Sequence, residues 1–361
     1  MDDMVKELST AFSGRRVLVT GHTGFKGSWL CLWLKELGAI VTGFALPPKQ
    51  DADHFNLLRL DQMINHIEGD IRDLSHLKKV VDKFQPEFLF HLAAQPLVRY
   101  SYQEPKITFD TNVGGSINLL EVIRENESLK SVIYVTSDKC YQNKEWIWGY
   151  RENDELGGRD PYSASKAAAE LVFLSYYDSY FKEKDGFGIA SVRAGNVIGG
   201  GDWSQDRIVP DSIKSLYNLN PISIRNPNST RPWQHVLEPL SGYLMLAAKL
   251  YNEPNIYSGS WNFGPRGSSI KSVHYLAEKI ISSWGIGELR ITVQDGAPHE
   301  AGLLQLNCDK AEQILDWHPR WDFNSTVEET VRWYKEVIVE GKLAVEISIR
   351  QIRKYMEESH D

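Results

Sequence analysis

The 361-residue sequence has no long apolar stretch, few cysteines and no excess of positive charge. No run approaches the ~18 uninterrupted apolar residues that a membrane span requires, and the start of the chain lacks the apolar core of a signal peptide. The cysteines Cys31, Cys140 and Cys308 are far apart and show no CxxC spacing for zinc or redox chemistry. We therefore expect a cytoplasmic protein with reduced, structural thiols, no contact with a membrane and no metal ion.

The charge balance argues against DNA or RNA as a partner. Lys and Arg number 40 against 48 Asp and Glu, the formal net charge is −8, and no block of basic residues stands out. Any anionic ligand must therefore be held by local groups. The content of 42% hydrophobic and 24% charged residues is ordinary for a folded globular protein.

Short apolar runs alternate with amphipathic stretches between residue 15 and about residue 193. Runs rich in β-formers and separated by helical patterns indicate a parallel sheet that is covered on both faces. The predicted fold class is therefore α/β, with a doubly wound parallel sheet of the Rossmann type over residues 1–194. The runs that carry this prediction are 17–20, 40–44, 88–92, 131–135 and 188–193.

The pattern changes after residue 195 to loops rich in Gly, Asn, Pro and Trp, interrupted by helical segments. We expect a smaller mixed α/β lobe over 195–361 that binds the substrate, with the chain able to cross again between the lobes. The charged tail after Gly341 is amphipathic, and we expect a solvated helix there rather than one at an interface.

A glycine-rich turn follows the first predicted strand. Gly21, Gly24 and Gly27 recur at three-residue spacing between that strand and a helix that runs to about Leu37. Glycine at these positions permits a tight turn and close approach of the backbone, so that the N-terminus of the helix can receive a pyrophosphate. The alternative is a glycine-rich turn without a ligand, and the flanking strand and helix favour a dinucleotide site.

The acidic residue that usually holds the adenosine ribose is missing after the second strand, where the sequence reads FALPP at 44–48. The segment also offers no obvious arginine for the 2′-phosphate of NADP, and NAD remains the expected cofactor. Asp70, at the end of the third predicted strand, has two interpretations: it accepts a hydrogen bond from the adenine amino group, or it is a helix N-cap.

Tyr162 and Lys166 lie four residues apart at the start of a predicted helix. This spacing places both side chains on one face, one turn apart. The ammonium group would there stabilise a tyrosinate and make Tyr162 a base near neutral pH. A YxxxK pattern is common by chance, so the interpretation depends on what lies beside it.

Polar side chains follow the predicted strand at 131–135, namely Ser137, Asp138 and Lys139. The reactive crevice of an open α/β sheet lies at the carboxyl ends of its strands. A hydroxyl, an acid, an amine and the phenol of Tyr162 would therefore meet at one edge of the sheet. The alternative for Asp138 and Lys139 is a surface ion pair in a loop.

The sequence resembles the extended short-chain dehydrogenase/reductase family over nearly its whole length. Within that family it is similar to the nucleotide-sugar 4,6-dehydratases. The segments that carry the resemblance are TGHTGFKG at 20–27, GDIRD at 69–73, HLAAQ at 91–95, TNVGG at 111–115, TSDK at 136–139, YSASK at 162–166, RAGNVIGGGD at 193–202 and RPWQHV at 231–236.

The residues after the strand at 131–135 narrow the resemblance. Dehydratases that act on dTDP-glucose carry Thr-Asp-Glu here, whereas this sequence has Ser137, Asp138 and Lys139, with lysine in place of the glutamate. An Asp-Lys pair occurs in the dehydratases of CDP-glucose and of UDP-N-acetylglucosamine, and the GHTGFKG and GGGDW segments favour CDP-glucose. The resemblance therefore implies CDP-glucose as the substrate and NAD as the cofactor. A departure from many family members is Gln95, to which the sequence assigns no effect.

The chemistry that the resemblance implies is oxidation at sugar C4 by NAD, loss of water across C5 and C6, and return of the hydride to C6. Tyr162 would accept the C4 hydroxyl proton, Lys166 would lower the pKa of Tyr162 and hold the nicotinamide ribose, and Ser137 would hydrogen-bond the same hydroxyl. Asp138 would be the acid for the departing C6 hydroxyl. Lys139 would be either a neutral base at C5 or a purely electrostatic group.

The matched motifs also imply binding residues. Asn196 and Arg231 would hold the sugar diphosphate, with Arg207 a weaker candidate, because a guanidinium presents a planar fork of donors to phosphate. His299 and Glu300 would either lie near the nucleotide ribose or form a polar turn. The residues expected to bind NAD are Gly21, Thr23, Gly24, Phe25, Lys26, Gly27, Asp70, Ile71, Leu92, Ala93, Ala94, Tyr162 and Lys166.

The predicted helices at 111–124 and after Tyr162 carry apolar residues on more than one face. Such helices require a second burial surface. By resemblance they would pair across a two-fold axis, so a homodimer or homotetramer is expected. The apolar residues concerned include Ile117, Leu120, Leu171 and Phe173.

Two other functions share parts of this pattern. An epimerase or decarboxylating synthase of a UDP-, dTDP- or GDP-linked sugar would share the glycine turn, Tyr162 and Lys166, but would not need Asp138 and Lys139 together. A catalytically silent NAD-binding regulator is the second alternative. The presence of Ser137 beside Tyr162 and Lys166 disfavours it, because a sensor has no need of a base.

Overall fold

The strands form one large sheet and several short pairs. The computed structural model describes residues 3–204, 206–292 and 303–358. The strands are β1 (Arg16–Thr20), β2 (Ile40–Ala45), β3 (Asn65–Glu68), β4 (Phe88–His91), β5 (Ser131–Val135), β6 (Gly188–Ala194), β7 (Val197–Ile198), β8 (Ile222–Ile224), β9 (Thr230–Pro232), β10 (Gln234–His235), β11 (Gly259–Phe263), β12 (Ile270–Ser272) and β13 (Leu289–Ile291).

The helices cover both faces of the sheet and build the second lobe. Within the described ranges, no helix has the length and apolar character needed to cross a bilayer. The helices are α1 (Asp3–Phe12), α2 (Phe25–Glu36), α3 (His54–Leu57), α4 (Leu74–Phe84), α5 (Val98–Gln103), α6 (Pro105–Phe109), α7 (Gly115–Glu125), α8 (Pro161–Tyr176), α9 (Ile208–Tyr217), α10 (Leu237–Asn252), α11 (Pro254–Tyr257), α12 (Val273–Trp284), α13 (Asp309–Ile314), α14 (Phe323–Tyr334) and α15 (Ala344–Glu357).

The large sheet has seven parallel strands in the order β11-β6-β5-β4-β1-β2-β3. The direction of strand succession reverses between β1 and β4, and this reversal opens a crevice at their carboxyl ends. The prediction of a doubly wound α/β fold is confirmed. Each of the apolar runs that carried it begins or ends within one or two residues of a strand of this sheet.

The sheet separates two apolar cores. Val17 and Val19 of β1 contribute to one core, whereas Leu18 contributes to the other, because successive side chains of a strand point to opposite faces. Trp29 and Trp33 of α2 pack in the first core. All five side chains are fully buried, and burial of the strand on both faces explains the near-continuous apolar run in the sequence.

The second lobe contains α9, α12 and α14 with short strand pairs, and the chain then returns to the sheet. β11 pairs with β6, so that Phe263 lies opposite Ala194. The hydroxyl of Ser131 in β5 donates to the carbonyl of Ala247 in α10 at 2.8 Å. The segment from α10 to β11 therefore packs on the large sheet, although it follows residue 194 in the sequence.

The tail after Gly341 forms α15 and packs into the chain's own core. Ile347, Ile352 and Tyr355 are buried, and the indole nitrogen of Trp33 in α2 donates to the sulfur of Met356 at 3.2 Å. The expectation of a solvated tail is wrong. The helix α15 is amphipathic, as the sequence predicts, but its apolar face is covered by α2 within the same chain.

Candidate active site

The glycine turn after β1 has no room for side chains. Gly21 has φ +76°, and a Cβ on it would lie 2.6 Å from the backbone nitrogen of Ala93. A Cβ on Gly27 would lie 2.2 Å from the carbonyl oxygen of Gly21. Helix α2 starts after Gly24 without a side-chain cap, so its first N–H groups can receive an anion. These features fit the pyrophosphate of a dinucleotide.

Two other expected cofactor residues, Leu92 and Asp70, follow strands of the same sheet. Leu92 donates from its backbone nitrogen to the carbonyl of Thr20 at 3.0 Å, which brings the end of β4 beside the end of β1. Asp70 follows β3 and accepts from the Arg72 guanidinium, whose hydrogen bond lowers the pKa of Asp70. The N-cap interpretation of Asp70 is wrong, because Asp73 caps α4 by accepting from the backbone nitrogen of His76 at 3.0 Å.

Helix α8 presents Tyr162 and Lys166 at its first turns. Asp160 caps the helix in a reciprocal capping box with Ser163, and Pro161 occupies the first helical position. Tyr162 is 8% exposed and Lys166 is buried. The local sequence therefore fixes where the helix begins, and the four-residue spacing then places phenol and amine on the same side.

The turn after β5 brings the other polar groups to this edge. The Ser137 hydroxyl donates to Asp138 Oδ1 at 2.9 Å and accepts from the backbone nitrogen of Lys139 at 3.2 Å. The Ser137 side chain also acts on the phenol of Tyr162, whose pKa it lowers. Asp138 is 4% exposed, so the alternative of a surface ion pair is wrong for it. Lys139 is half-buried.

The surroundings of Tyr162 and Lys166 shift the pKa of both groups. Burial raises the pKa of Tyr162 to about 12, although the hydrogen bond to Ser137 lowers it, and the charge of Asp138 adds to the rise. Burial also lowers the pKa of Lys166 to about 8. For Tyr162, desolvation therefore outweighs the favourable effect of Ser137 on the pKa.

Lys26, which the glycine-turn motif predicts as a cofactor residue, also lies close to Tyr243 and Asp138. Its amine lies 3.5 Å from the hydroxyl of Tyr243 in α10. Burial lowers the pKa of Lys26 to about 8, while the charge of Asp138 raises it and those of Arg207 and Lys166 lower it further. The side chain expected to accompany the cofactor thus also faces the acid of the catalytic edge. Tyr243 had no signal in the sequence.

The expected substrate residues divide into three groups. A Cβ on Gly195 would lie 3.4 Å from Asp138 Oδ2, so the loop that carries Asn196 passes beside the acid. Arg207 pairs with Asp202 at 3.0 Å and acts electrostatically on Tyr162. Arg231 lies in β9. The side chain of the next residue, Pro232, would also lie 3.4 Å from a Cβ on Gly195. His299, like Glu300, lies outside the described residues.

Asn112 makes structural hydrogen bonds near the site that the sequence does not predict. Its side chain accepts from the backbone nitrogen of Gln95 at 2.8 Å and donates to the hydroxyl of Ser165 in α8 at 2.9 Å. Gln95 in turn accepts from the backbone nitrogen of Leu97 at 2.6 Å. Gln95 and Asn112 together tie the loop after β4 to the catalytic helix, which gives Gln95 the effect that its sequence position left unassigned.

Comparison with known proteins places this site in a family. Residues 18–330 match the description GDP-mannose 4,6 dehydratase. The chain belongs to the GDP-mannose 4,6 dehydratase family. A CDP-glucose 4,6-dehydratase from Salmonella typhimurium is 49% identical over 349 residues, which are 96% of this chain and 97% of the relative. A CDP-paratose 2-epimerase from Salmonella typhi is 26% identical over 345 residues, 89% of this chain and all of the relative.

Solved structures agree on the fold. A dTDP-glucose 4,6-dehydratase from Streptomyces venezuelae, solved with NAD, has a TM-score of 0.75 at 24% identity and covers 89% of this chain and 99% of its own. The epimerase Mth375 from Methanothermobacter thermautotrophicus has a TM-score of 0.78 at 23% identity and covers 97% of each chain. Membership in the GDP-mannose 4,6 dehydratase family confirms the predicted resemblance to nucleotide-sugar dehydratases and makes the chain an enzyme of that kind.

Proposed function

We propose that this enzyme is a CDP-glucose 4,6-dehydratase with internally recycled NAD. The observation that carries the proposal is the 49% identity to a CDP-glucose 4,6-dehydratase over 96% of the chain. The buried Asp138 beside Ser137 and the neighbouring Lys139 supply the groups that dehydration needs and that simple oxidation does not. The product, CDP-4-keto-6-deoxy-glucose, is a precursor of deoxysugars such as those of O-antigens.

The cofactor is held by the crevice at the ends of β1, β3 and β4. NAD supplies the hydride acceptor and donor at this position. Gly21 and Gly27 leave the backbone open to the pyrophosphate, and the first N–H groups of α2 bind it. Asp70 accepts from the adenine amino group. The remaining contacts come from Thr23, Gly24, Phe25, Lys26, Ile71, Leu92, Ala93, Ala94, Tyr162 and Lys166.

The oxidation step uses Tyr162, Lys166 and Ser137. Ser137 hydrogen-bonds the C4 hydroxyl and Tyr162 takes its proton, while the ammonium of Lys166 stabilises the tyrosinate. Because burial raises the pKa of Tyr162, positive charge such as that of the Lys166 ammonium favours the tyrosinate. The resulting C4 ketone acidifies the C5 proton.

The elimination step uses Asp138 and Lys139. Asp138 donates a proton to the departing C6 hydroxyl, and its burial shields it from water. Lys139 is the candidate base for the C5 proton. Asn196 and Arg231 hold the diphosphate, and Arg207 assists.

The test is a panel of CDP-, dTDP-, UDP- and GDP-linked glucose and N-acetylglucosamine. We expect a 4-keto-6-deoxy product from CDP-glucose, detected by mass spectrometry as a loss of water. Product from a UDP-, dTDP- or GDP-sugar alone would overturn the choice of nucleotide. Interconversion of C4 epimers without loss of water would assign an epimerase, and bound NAD without any turnover would assign a regulator.

The assembly proposal rests on α7 and α8. Leu120 and Phe173 are buried in the chain's own core, whereas Ile117 and Leu171 are 39% and 57% exposed. Two of the four residues therefore leave an apolar surface that a second copy would cover. We also propose the cytoplasm as location, since the three cysteines are buried and unpaired, as expected in a reducing compartment.

We predict a homodimer or homotetramer in solution. Light scattering at micromolar concentration should give at least twice the chain mass of 41.2 kDa. Leu171→Glu should shift the mass towards the monomer, because it places a charge in the apolar surface. Tyr217→Glu, at a 54% exposed position of α9, is the matched control and should leave the mass unchanged. A monomeric wild type would contradict the proposal.

A further inference from the structure

A buried ion pair lies directly behind the catalytic edge. Glu170 is in α8, four residues after Lys166, and Arg193 is in β6. The Arg193 Nε donates to Glu170 Oε1 at 2.9 Å and its Nη2 donates to Oε2 at 2.7 Å, which is a bidentate arrangement. The Arg193 and Glu170 side chains are 1% and 0% exposed. The oxidation and elimination steps described above make no use of this pair.

The Glu170 carboxylate also binds the end of β5. The hydroxyl of Thr136, the residue immediately before Ser137, donates to Glu170 Oε1. The hydroxyl of Ser191 in β6 donates to Oε2 at 3.0 Å. One carboxylate therefore joins the helix that carries Tyr162 to the strand end that carries Ser137 and Asp138.

The guanidinium of Arg193 extends the connection to the substrate side. Its Nη1 donates to the hydroxyl of Tyr141 at 2.7 Å and to the carbonyl of Glu152 at 2.9 Å. Its Nη2 donates to the hydroxyl of Ser260 in β11 at 3.1 Å. Tyr141 follows the turn that holds Asp138 and Lys139, so both flanks of that turn are fixed by the same pair.

We propose that the Glu170–Arg193 pair positions the active site by holding Tyr162 and Lys166 in register with Ser137 and Asp138. The assignment of catalytic steps rests on the proposed function. A buried ion pair stabilises a fold little more than apolar side chains of similar volume would, because the desolvation of two charges offsets their attraction. Its hydrogen bonds, in contrast, specify direction, and a misplacement of 1 Å at a reacting group costs about 10²-fold in rate.

Glu170 also contributes negative charge near Lys166. Cys140, Glu170, His91 and Lys26 face the Lys166 amine. Burial raises the pKa of the Cys140 thiol and lowers the pKa of His91 to about 3, so both are neutral at pH 7. Glu170 supplies negative charge that raises the pKa of Lys166 against the effect of burial. Loss of that charge lowers the pKa of Lys166, so the ammonium form is lost at a lower pH.

The test is the double variant Glu170→Gln with Arg193→Met, since either change alone leaves a buried charge without its partner. We expect a folded protein that binds NAD as the wild type does, with kcat reduced about 10- to 100-fold. The alkaline limb of the kcat profile should move to lower pH. Glu329→Gln with Arg332→Met is the matched control, because it neutralises a buried carboxylate and its arginine in α14, where they pair away from α8. The control should leave the pH profile unchanged.

Two kinetic results would overturn the proposal. One is wild-type kcat and pH profile in the folded double variant, and the other is a lower kcat with an unmoved alkaline limb, which a purely structural role would give. If the double variant does not fold, Arg193→Lys keeps the charge pair but loses the fork, and it should lower kcat without moving the limb. Crystal structures of the wild type and of the folded variant give the separation of Tyr162 and Ser137. This measurement does not depend on the turnover of any sugar. An unchanged separation would overturn the positioning role, whereas a wild type inactive on CDP-glucose would overturn only the proposed function.

Discussion

Tyr162→Phe should lower turnover by roughly 10²–10⁴-fold and leave folding and NAD binding nearly intact, the usual scale for loss of a general base. The phenylalanine ring fills the same space in a site that is 8% exposed. The change removes only the hydroxyl that is proposed to take the C4 proton. Steady-state kinetics on CDP-glucose, a thermal melt and an NAD titration measure the three properties.

Tyr176→Phe is the matched control for this variant. It also removes one phenolic hydroxyl from α8, where that group donates to Glu121 at 2.7 Å at the far end of the helix. Its turnover should stay within about twofold of the wild type, because it touches no reacting group. Wild-type turnover by Tyr162→Phe would remove Tyr162 from the mechanism.

The strands and the glycine turn are predictable from the sequence because their signals are local. β5 has the predicted bounds of 131 and 135, and Val132 and Ile133 within it are fully buried, as a run covered on both faces requires. Gly21 was expected to allow close approach of the backbone, and Ala93 is the residue that approaches. Sequence spacing also placed Tyr162 and Lys166 on one helix face, because the period of a helix is fixed.

The contacts that hold the site residues in place are not predictable in the same way, because they join residues that are distant in sequence. Lys26 meets Tyr243 across 217 residues, and Asn112 meets Ser165 across 53. Trp33 and Met356, 323 residues apart, bring the tail into the core. A local pattern records that a face is apolar or that a side chain is polar, but it does not record the partner. The shifts in the pKa of Tyr162 and Lys166 are not predictable from the sequence for the same reason, since burial depends on the whole fold.

Asp138→Asn and Lys139→Met should both stop the reaction after oxidation, with product formation reduced roughly 10²-fold or more. The amide that replaces the Asp138 carboxylate has nearly the same shape and still accepts the hydrogen bond that Ser137 donates at 2.9 Å, but it cannot donate a proton to the C6 hydroxyl. The methionine keeps the apolar stem of Lys139 and removes its amine. Tyr162, Lys166 and Ser137 remain, and these suffice to form the C4 ketone.

The stalled state is visible in the cofactor. On addition of CDP-glucose, both variants should accumulate the absorbance of bound NADH wherever oxidation is thermodynamically accessible, whereas the wild type returns the hydride and shows little. Lys144→Met is the matched control, since Lys144 pairs with Glu155 at 3.1 Å in the loop that follows and its loss removes an amine outside the site. The control should form product at the wild-type rate and show no NADH.

Hydrogen exchange at C5 separates the two roles. In the proposed elimination, the C5 proton leaves before the C6 hydroxyl or together with it. The step assigned to Lys139 therefore does not wait for the step assigned to Asp138. A substrate deuterated at C5 should therefore retain its deuterium in Lys139→Met and exchange it with solvent in Asp138→Asn, where the base remains and the acid is lost. Rapid exchange in Lys139→Met would transfer the role of base to Asp138 or a water molecule, with Lys139 as an electrostatic group. Full-speed product formation by both variants would remove both residues from the elimination and leave Lys26, whose pKa of about 8 and position near Asp138 suit proton transfer, as the amine to substitute next.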